Sequence, residues 1–335
     1  MTVKTITDGP RTSGPERVSP RRAAAAQYTG VLAVLAALVL WFGLTQEPFL
    51  TVTNFVNVAE TNAVLLIAAT GLTFVMLVGG IDLSIGGMAA FTAVLLWVFL
   101  AAGLPGPLAA LLAVAAAFAV GGAVNGVLIG KAGLSFLVVT IGSSSILRGV
   151  AQIGSGGQSQ TVYTYPIMVE LGAARPLGLP LTVWVAAIVF VAALLVLRYT
   201  GFGRMIYATG GNPEAARLAG IPVARIRVAV YTICGGLAGV AAVLDAARTT
   251  SASPQAGLGL ELVAGAAVLL GGTSFMGGRG SLLGTLLGVL FLGVLSNGIT
   301  LAGVSAFWTN VVSGVVLIAA IGLDRLRVMK ERTRG

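Results

Sequence analysis

The sequence predicts an all-α, polytopic membrane protein with about ten transmembrane helices, some of them broken at glycine-rich segments. Of the 335 residues, 57% are hydrophobic and only 9% are charged, and the mean hydropathy is +0.98, which is atypical of soluble domains. Apolar runs long enough to cross the ~30 Å hydrocarbon layer as helices recur along the chain. These runs are continuous rather than alternating, which favours helices over a transmembrane β-barrel.

The apolar runs divide the chain into three regions. Residues 1–26 are predicted to be a disordered, basic cytoplasmic tail, residues 27–323 the transmembrane domain, and residues 324–335 a second basic cytoplasmic tail. The predicted spans are residues 28–45, 55–78, 88–102, 108–130, 135–153, 181–199, 228–247, 261–270, 281–301 and 304–322. The eighth run is too short to cross alone, so its helix either continues into the following glycine-rich segment or is broken there.

The distribution of basic residues predicts the orientation of these spans. An even number of crossings places both termini on one side, and the two basic tails predict that this side is the cytoplasm. Only Arg148, Arg175 and Arg248 of the 20 basic residues then lie toward the outside. Basic tails also occur in nucleic-acid-binding proteins, but the hydropathy favours the membrane interpretation. We therefore expect the lipid bilayer, and no nucleic acid, as a partner.

The composition argues against chemistry within this chain. There is no histidine, and Cys234 is the only cysteine, so neither an intrachain disulfide nor a cluster of Cys and His metal ligands is expected. Lys131 resembles the lysine of a phosphate-binding loop, but Asn125 replaces the required glycine and Ala132 the following Ser or Thr. No carboxylate pair or nucleophile–base pair emerges. We expect no enzymatic activity, no metal and no cofactor bound by this chain.

A polar, basic loop between the sixth and seventh runs contains a short helix with both ends marked. Asn212 is a suitable N-cap, Pro213 suits the first helical position, and Glu214 places negative charge at the positive end of the helix dipole. Gly220 suits the left-handed conformation that closes a helix. The pattern predicts a helix over residues 213–219 on the cytoplasmic surface of the membrane. Such a helix is suited to contact a soluble partner.

Two similar glycine-rich segments, residues 78–87 and 270–280, interrupt the predicted helices. Each is followed by an Asn–Gly pair, at Asn125 and at Asn297, which hints at an internal repeat of the kind common in transporters. Discontinuous helices near the midplane are where transporters bind and gate their substrates. The candidates for a translocation path or gate are Gly79, Gly80, Asp82, Ser84, Asn125, Arg148, Gly271, Gly272 and Asn297.

The two charged candidates each have a simpler interpretation. Asp82 is costly inside a membrane, which favours a functional role, but it is also placed to cap the helix that begins near Ser84. Arg148 is placed to pair with an acid such as Glu60, to line a polar cavity, or to reach the outer headgroups. The sequence leaves these alternatives open.

Three segments, residues 79–84, 203–212 and 270–280, resemble the ribose/xylose/arabinose-type permease family of bacterial ABC importers. The resemblance extends over about residues 54–323. It implies that residues 27–323 form a permease domain in the bacterial plasma (inner) membrane. The implied function is the inward movement of a monosaccharide, pentose-like or hexose-like, driven by ATP.

The cytoplasmic loop carries a second resemblance. Glu214-Ala215-Ala216, followed after three residues by Gly220, resembles the Glu-Ala-Ala-x-x-x-Gly signature of the permease subunits of these importers. The signature implies that these four residues belong to a coupling helix that docks on an ATPase. The small side chains of Ala215 and Ala216 are expected to allow close seating, with Glu214 and Arg217 as a polar edge.

The resemblance also implies the partners. These are a second permease copy or a sister permease, a cytoplasmic ATP-binding subunit that holds ATP and Mg, and an extracytoplasmic sugar-binding protein. The main alternative is an ion- or proton-coupled secondary transporter, for which Asp82 is the principal candidate. The lack of histidine weakens this alternative, because such transporters carry acidic or histidine relays within the membrane.

Overall fold

The computed structural model describes residues 20–305 and positions 307, 308, 311, 312, 314, 315 and 318, with side chains from residue 29 onward. Its helices are α1 Pro20–Thr45, α2 Val52–Leu77, α3 Ile85–Ala101, α4 Gly106–Gly130, α5 Phe136–Ser155, α6 Pro166–Ala173, α7 Leu181–Tyr199, α8 Gly201–Gly211, α9 Pro213–Leu218, α10 Val223–Thr249, α11 Leu260–Leu270 and α12 Leu282–Leu301. Helix α4 contains a π-helical segment, Val120–Gly126. A 3₁₀ turn, Pro176–Gly178, and two short strands, β1 Gln160–Thr161 and β2 Ser251–Ala252, lie in the loops.

The predicted all-α, polytopic architecture is confirmed. Six described helices (α2, α4, α5, α7, α10 and α12) are long and apolar enough to cross a membrane, and α1, α3 and α11 contain shorter apolar segments. These nine helices match the first nine predicted spans. The tenth run lies largely outside the described residues, so a count of ten crossings stays a prediction. Helix α11 ends at Leu270, so the short eighth span is broken rather than continued.

The predicted tails fall mostly outside the described residues. Residues 1–19 and 319–335 are among those not described. Helix α1 begins at Pro20, so residues 20–26 of the predicted N-terminal tail are helical. The predicted disorder of residues 20–26 is therefore wrong, whereas the start of the transmembrane domain at residue 27 stays a prediction.

Helices α2 and α10 form the centre of the structure, and α10 also packs against α3 and α4. Their backbones approach closely at small residues. A Cβ atom on Gly71 of α2 would lie 3.0 Å from the Cα of Cys234, and one on Gly235 would lie 2.8 Å from the Cα of Gly121. Close backbone approach at small residues is the usual way in which helices pack in membranes. The π-helical segment of α4 is thereby held against α10.

The loops lie at two ends of the helices and are grouped as the predicted topology requires. At one end, the Gly278 N–H donates to the Leu77 carbonyl over 2.9 Å, which joins two loops predicted to be cytoplasmic. At the other end, β1 and β2 pair antiparallel, with Gln160 opposite Ala252, which joins two loops predicted to be outside. We call these the inner and the outer end. Which end faces the cytoplasm stays a prediction.

Candidate functional site

Helix α9 at the inner end begins and ends where its sequence signals indicate. The Asn212 side-chain oxygen accepts hydrogen bonds from the backbone N–H groups of Glu214 and Ala215, both over 3.0 Å. Ala219 is the C-cap, and Gly220 follows with φ +80° in the left-handed region. The predicted helix over residues 213–219 is confirmed to within one residue.

The exposed face of α9 differs from the expected one. Glu214 and Arg217 form an ion pair of 2.6 Å, with side chains 76% and 54% exposed. Ala216 is buried, so its side chain helps to hold α9 against its own chain, and a direct contact of Ala216 with a partner stays a prediction. Leu218, which the sequence reasoning missed, is 91% exposed. The available signal was a large apolar residue in a short loop helix that also carries Glu214 and Arg217.

The chain that leads into α9 is joined to both glycine-rich breaks. We call this contact the glycine junction; it comprises residues 77–80, 210–211 and 277–278. A Cβ atom on Gly210 would overlap the Leu77 carbonyl oxygen and lie 2.5 Å from the Gly278 nitrogen. A Cβ atom on Gly277 would lie 2.6 Å from the Gly79 nitrogen. Only glycine fits these positions, so three backbones meet directly, two residues before α9 begins.

The four glycines that we predicted to break helices are Gly79, Gly80, Gly271 and Gly272. Gly79 and Gly272 have φ of +79° and +84° and follow the ends of α2 and α11. A Cβ on Gly80 would lie 2.7 Å from the Tyr231 hydroxyl, and one on Gly271 would overlap the backbone of α12. Both segments are therefore true helix breaks at the inner end, and they are packed tightly against neighbouring elements.

A buried chain of hydrogen bonds ends at Asp82 in the first break. The Ser143 hydroxyl donates to the Asn125 side-chain oxygen over 2.6 Å, and the Asn125 amide donates to the Ser84 hydroxyl over 2.7 Å. The Ser84 hydroxyl and backbone N–H then donate to Asp82 Oδ1 over 2.5 and 2.9 Å. All four residues are buried. We call this chain the Asp82 network; it joins the first break to α4 and α5.

Asp82 does not act as the predicted cap of α3. Its Oδ1 atom bonds Ser84, the residue that precedes the helix, and Ser84 itself makes no side-chain cap bond. Asp82 Oδ2 is buried and has no hydrogen-bond partner among the described residues. Two α10 residues close the site: the Cys234 thiol lies beside Asp82, and the Tyr231 hydroxyl donates to the Ile81 carbonyl over 3.2 Å. The sequence reasoning missed Ser143 and Tyr231.

The remaining candidates lie away from the Asp82 network. Asn297 exchanges two amide hydrogen bonds with Asn54, of 2.9 and 3.0 Å, near the outer end. The two Asn–Gly pairs therefore serve different contacts. Arg148 donates to the Pro254 carbonyl over 3.0 Å.

Glu60, the acid that we offered as a partner for Arg148, has a different partner. It forms an ion pair of 3.1 Å with Arg175 in the loop before α7. The sequence did not indicate this choice, because it depends on how the outer loops pack.

A cavity of about 430 Å³ opens in the outer half of the structure. It lies between α2, α10, α12 and the segment that leads into α11. Thr61, Asn62, Asp245, Gln255 and Ser296 supply its polar lining. Small-molecule sites commonly have volumes of about 300–1,000 Å³. The sequence reasoning missed this cavity, because its lining comes from five separate parts of the chain.

Comparisons with known proteins agree with this architecture. A family model described as "Branched-chain amino acid transport system / permease component" matches residues 54–321. The ribose import permease protein RbsC of Escherichia coli (strain K12) is 42% identical over 300 residues, which cover 88% of this chain and 92% of that protein.

Two further relatives carry other names. The D-allose transport system permease protein AlsC of Escherichia coli (strain K12) is 35% identical over 298 residues, covering 89% of this chain and 91% of that protein. The L-arabinose ABC transporter permease protein AraH of Azospirillum brasilense is 33% identical over 307 residues, covering 91% of this chain and 89% of that protein. The chain therefore belongs to this family of ABC transporter permease components.

Proposed function

We propose that this chain is the membrane permease subunit of an ATP-driven importer that moves a monosaccharide inward across the bacterial plasma membrane. A separate cytoplasmic ATPase docks on α9 and supplies the ATP and Mg. A second permease copy or a sister permease completes the membrane path, and an extracytoplasmic sugar-binding protein delivers the substrate. The names of the relatives, which specify ribose, D-allose and L-arabinose, support a monosaccharide cargo.

One observation carries the coupling part of the proposal: α9 has an exposed face, and the end of α8 that leads into it is joined to both helix breaks. Its exposed face presents the Leu218 side chain beside the Glu214–Arg217 ion pair. An apolar anchor with a polar rim is typical of a protein contact surface. At its N-terminal end, α9 is separated from Gly211 of the glycine junction by one residue, its cap Asn212.

The mechanism follows from this connection. A displacement of α9 by the ATPase moves the end of α8, and the direct backbone contacts at Gly210 transmit that movement to residues 77–80 and 277–278. These segments precede α3 and α12, so both helices change position together. ATP drives the change only to the extent that the ATPase binds α9 with different affinity in the two conformations of the permease.

One observation favours the alternative, an ion- or proton-coupled transporter. Asp82 Oδ2 is buried without a hydrogen-bond partner among the described residues, and acids within the membrane commonly serve as proton sites in transporters. However, Asp82 Oδ1 accepts from Ser84, which in turn is bonded through Asn125 to Ser143, and these hydrogen bonds hold the first helix break against α4 and α5. A fixed structural contact explains these bonds without any proton transfer.

Reconstitution separates the two functions. The permease is placed in proteoliposomes with the ATPase and binding protein encoded beside it, and uptake of radiolabelled ribose, allose and arabinose is measured. We expect uptake that requires ATP on the side of the ATPase and that persists when ionophores collapse the proton and sodium gradients. If uptake instead needs no ATP and is abolished by ionophores, the proposal is wrong and the protein is a gradient-driven transporter.

A further inference from the structure

We propose that the outer cavity is a binding site for a neutral monosaccharide ring within the permease itself. This inference rests on the proposed function, since it names where the cargo binds inside this chain. The cavity is lined by residues of α2, α3, α10 and α12, of the segment before α11 and of the first turn of α11, all of which meet in the outer half of the structure.

The polar lining has unfilled hydrogen-bonding capacity. The Asn62 amide nitrogen donates to the Val58 carbonyl over 2.8 Å, which leaves its side-chain oxygen without a bond to the described residues. The side chains of Thr61 and Gln255 line the same space and make no hydrogen bond to the part of the chain that is described. Together they offer donors and acceptors, which suits sugar hydroxyls because each hydroxyl both donates and accepts.

The charge of the cavity selects against a cargo that carries an anionic group. Asp245 is the one charged side chain among the described lining residues, and its Oδ1 atom already accepts from Arg248 over 2.8 Å. The helix that begins beside the cavity, α11, carries Glu261 in its first turn. An amino acid would bring a carboxylate for which this lining has no cationic partner, and burying an unpaired charge is costly.

The apolar lining suits the rest of a sugar ring. Leu65, Val263 and Leu292 present aliphatic surface to the cavity, and the C–H groups of a sugar are able to pack against such surface. The volume of about 430 Å³ accommodates a pentose or a hexose with some water. The cavity therefore fits the sugars named for the relatives better than the branched-chain amino acids named in the family description.

Uptake by matched variants tests the site in the complete complex. Asn62→Ala and Gln255→Ala remove hydrogen-bonding groups from the cavity. Asn57→Ala and Gln158→Ala remove the same groups from exposed positions that do not line it. We expect the first two to lower sugar uptake about tenfold each, the effect of one lost hydrogen bond of typical strength. The two controls are expected to transport normally, and all four variants are expected to retain ATPase activity stimulated by the binding protein.

Cysteine labelling tests binding without transport. Cys234, the only cysteine of the chain, is buried, so an introduced cysteine is labelled selectively. Ribose, allose or arabinose in the millimolar range is expected to slow alkylation of Thr61→Cys, while leucine does not. Thr53→Cys, exposed on the same helix but outside the cavity, is expected to react equally with and without sugar.

The outcomes distinguish this inference from the proposed function. Protection by leucine and not by sugars would overturn the assignment of the ligand. The site would be overturned if Asn62→Ala and Gln255→Ala transported normally and none of the sugars protected Thr61→Cys. The proposed function would remain intact in that case, provided that the native complex showed ATP-driven sugar uptake. Absence of ATP-driven uptake in the native complex would instead count against the proposed function, and protection of Thr61→Cys would still support the site.

Discussion

Two acidic residues at the inner end of this protein, Asp82 and Glu214, occupy opposite environments. Asp82 is fully buried and accepts two hydrogen bonds from Ser84, whereas the Glu214 side chain is 76% exposed and pairs only with Arg217, one helical turn away, among the described residues. A buried acid is stable only when other groups hold it, so we propose that Asp82 fixes the structure around it. An exposed acid is free to exchange its partner, so we propose that Glu214 serves in recognition.

The two regions are connected by backbone rather than by side chains. The glycine junction joins the start of the break that contains Asp82 to the end of α8, and α9 follows after one residue. We propose that a movement at the exposed region reaches the buried one through these direct contacts of glycine residues. The following predictions test this division of roles, in order of their expected effect on the free energy of unfolding.

Substitution of the buried acid is expected to have the largest effect. Asp82→Leu leaves the hydroxyl and the N–H of Ser84 without their acceptor, and each buried unsatisfied group costs about 1–3 kcal/mol. We expect a loss of stability of about 2–4 kcal/mol, measured as a lower thermal midpoint of the purified protein in detergent. Asp82→Asn keeps an acceptor oxygen and is expected to recover most of the loss. Equal stability of Asp82→Leu and the native protein would show that the network does not hold this region.

The glycine junction provides a matched pair of adjacent residues. In Gly210→Ala the new Cβ meets the backbone of Leu77 and Gly278, whereas in Gly211→Ala it meets nothing within 4 Å. Overpacking of this kind typically costs about 1–3 kcal/mol. We expect Gly210→Ala to lose stability and most ATP-dependent uptake, and Gly211→Ala to behave as the native protein in both assays. If the two variants transport equally, the proposed transmission through the junction is wrong.

Reversing the exposed acid is expected to change stability little. Exposed ion pairs contribute about 0–1 kcal/mol, so Glu214→Arg is expected to shift the thermal midpoint only slightly. If α9 couples the permease to an ATPase, the same variant inserts normally but uncouples ATP hydrolysis from uptake. Normal sugar-stimulated uptake by Glu214→Arg would remove Glu214 from the coupling surface.

The smallest effect on stability is expected at Leu218. Because this side chain is 91% exposed, Leu218→Asp removes no packing from the fold. Loss of an apolar anchor typically weakens a protein interface by more than about 1 kcal/mol, so we expect at least a several-fold loss of ATPase co-purification. Leu177→Asp is the control, since Leu177 is 90% exposed in the loop before α7. Equal recovery of the ATPase with both variants would contradict the role of Leu218.

The sequence predicted α9 and the helix breaks because their signals are local. A cap at Asn212, a proline at position 213 and the glycine pairs act on the residues next to them. The exposed face of α9 was not predicted, because burial of Ala216 depends on how α9 packs against its own chain. The burial of one alanine and the exposure of Leu218 become visible only in the folded structure.

The Asp82 network and the outer cavity depend on distant parts of the chain. Asn125 and Asn297 stand in similar sequence contexts, yet Asn125 lies near the inner end of α4 and Asn297 near the outer end of α12, because the two helices run in opposite directions. Their polar partners, Ser143 and Asn54, come from other helices. No spacing rule within one segment indicates such contacts.

The most direct test of the account is cross-linking from Leu218 in the assembled complex. A bifunctional thiol reagent is applied to Leu218→Cys and to the control Leu177→Cys, with the only native cysteine, Cys234, buried. If α9 is the coupling helix, we expect Leu218→Cys to capture the ATPase, with an efficiency that changes when ATP is added, and Leu177→Cys not to capture it. Capture of the ATPase by Leu177→Cys, or by neither variant while the complex remains active, would contradict the assignment of α9 as the coupling helix.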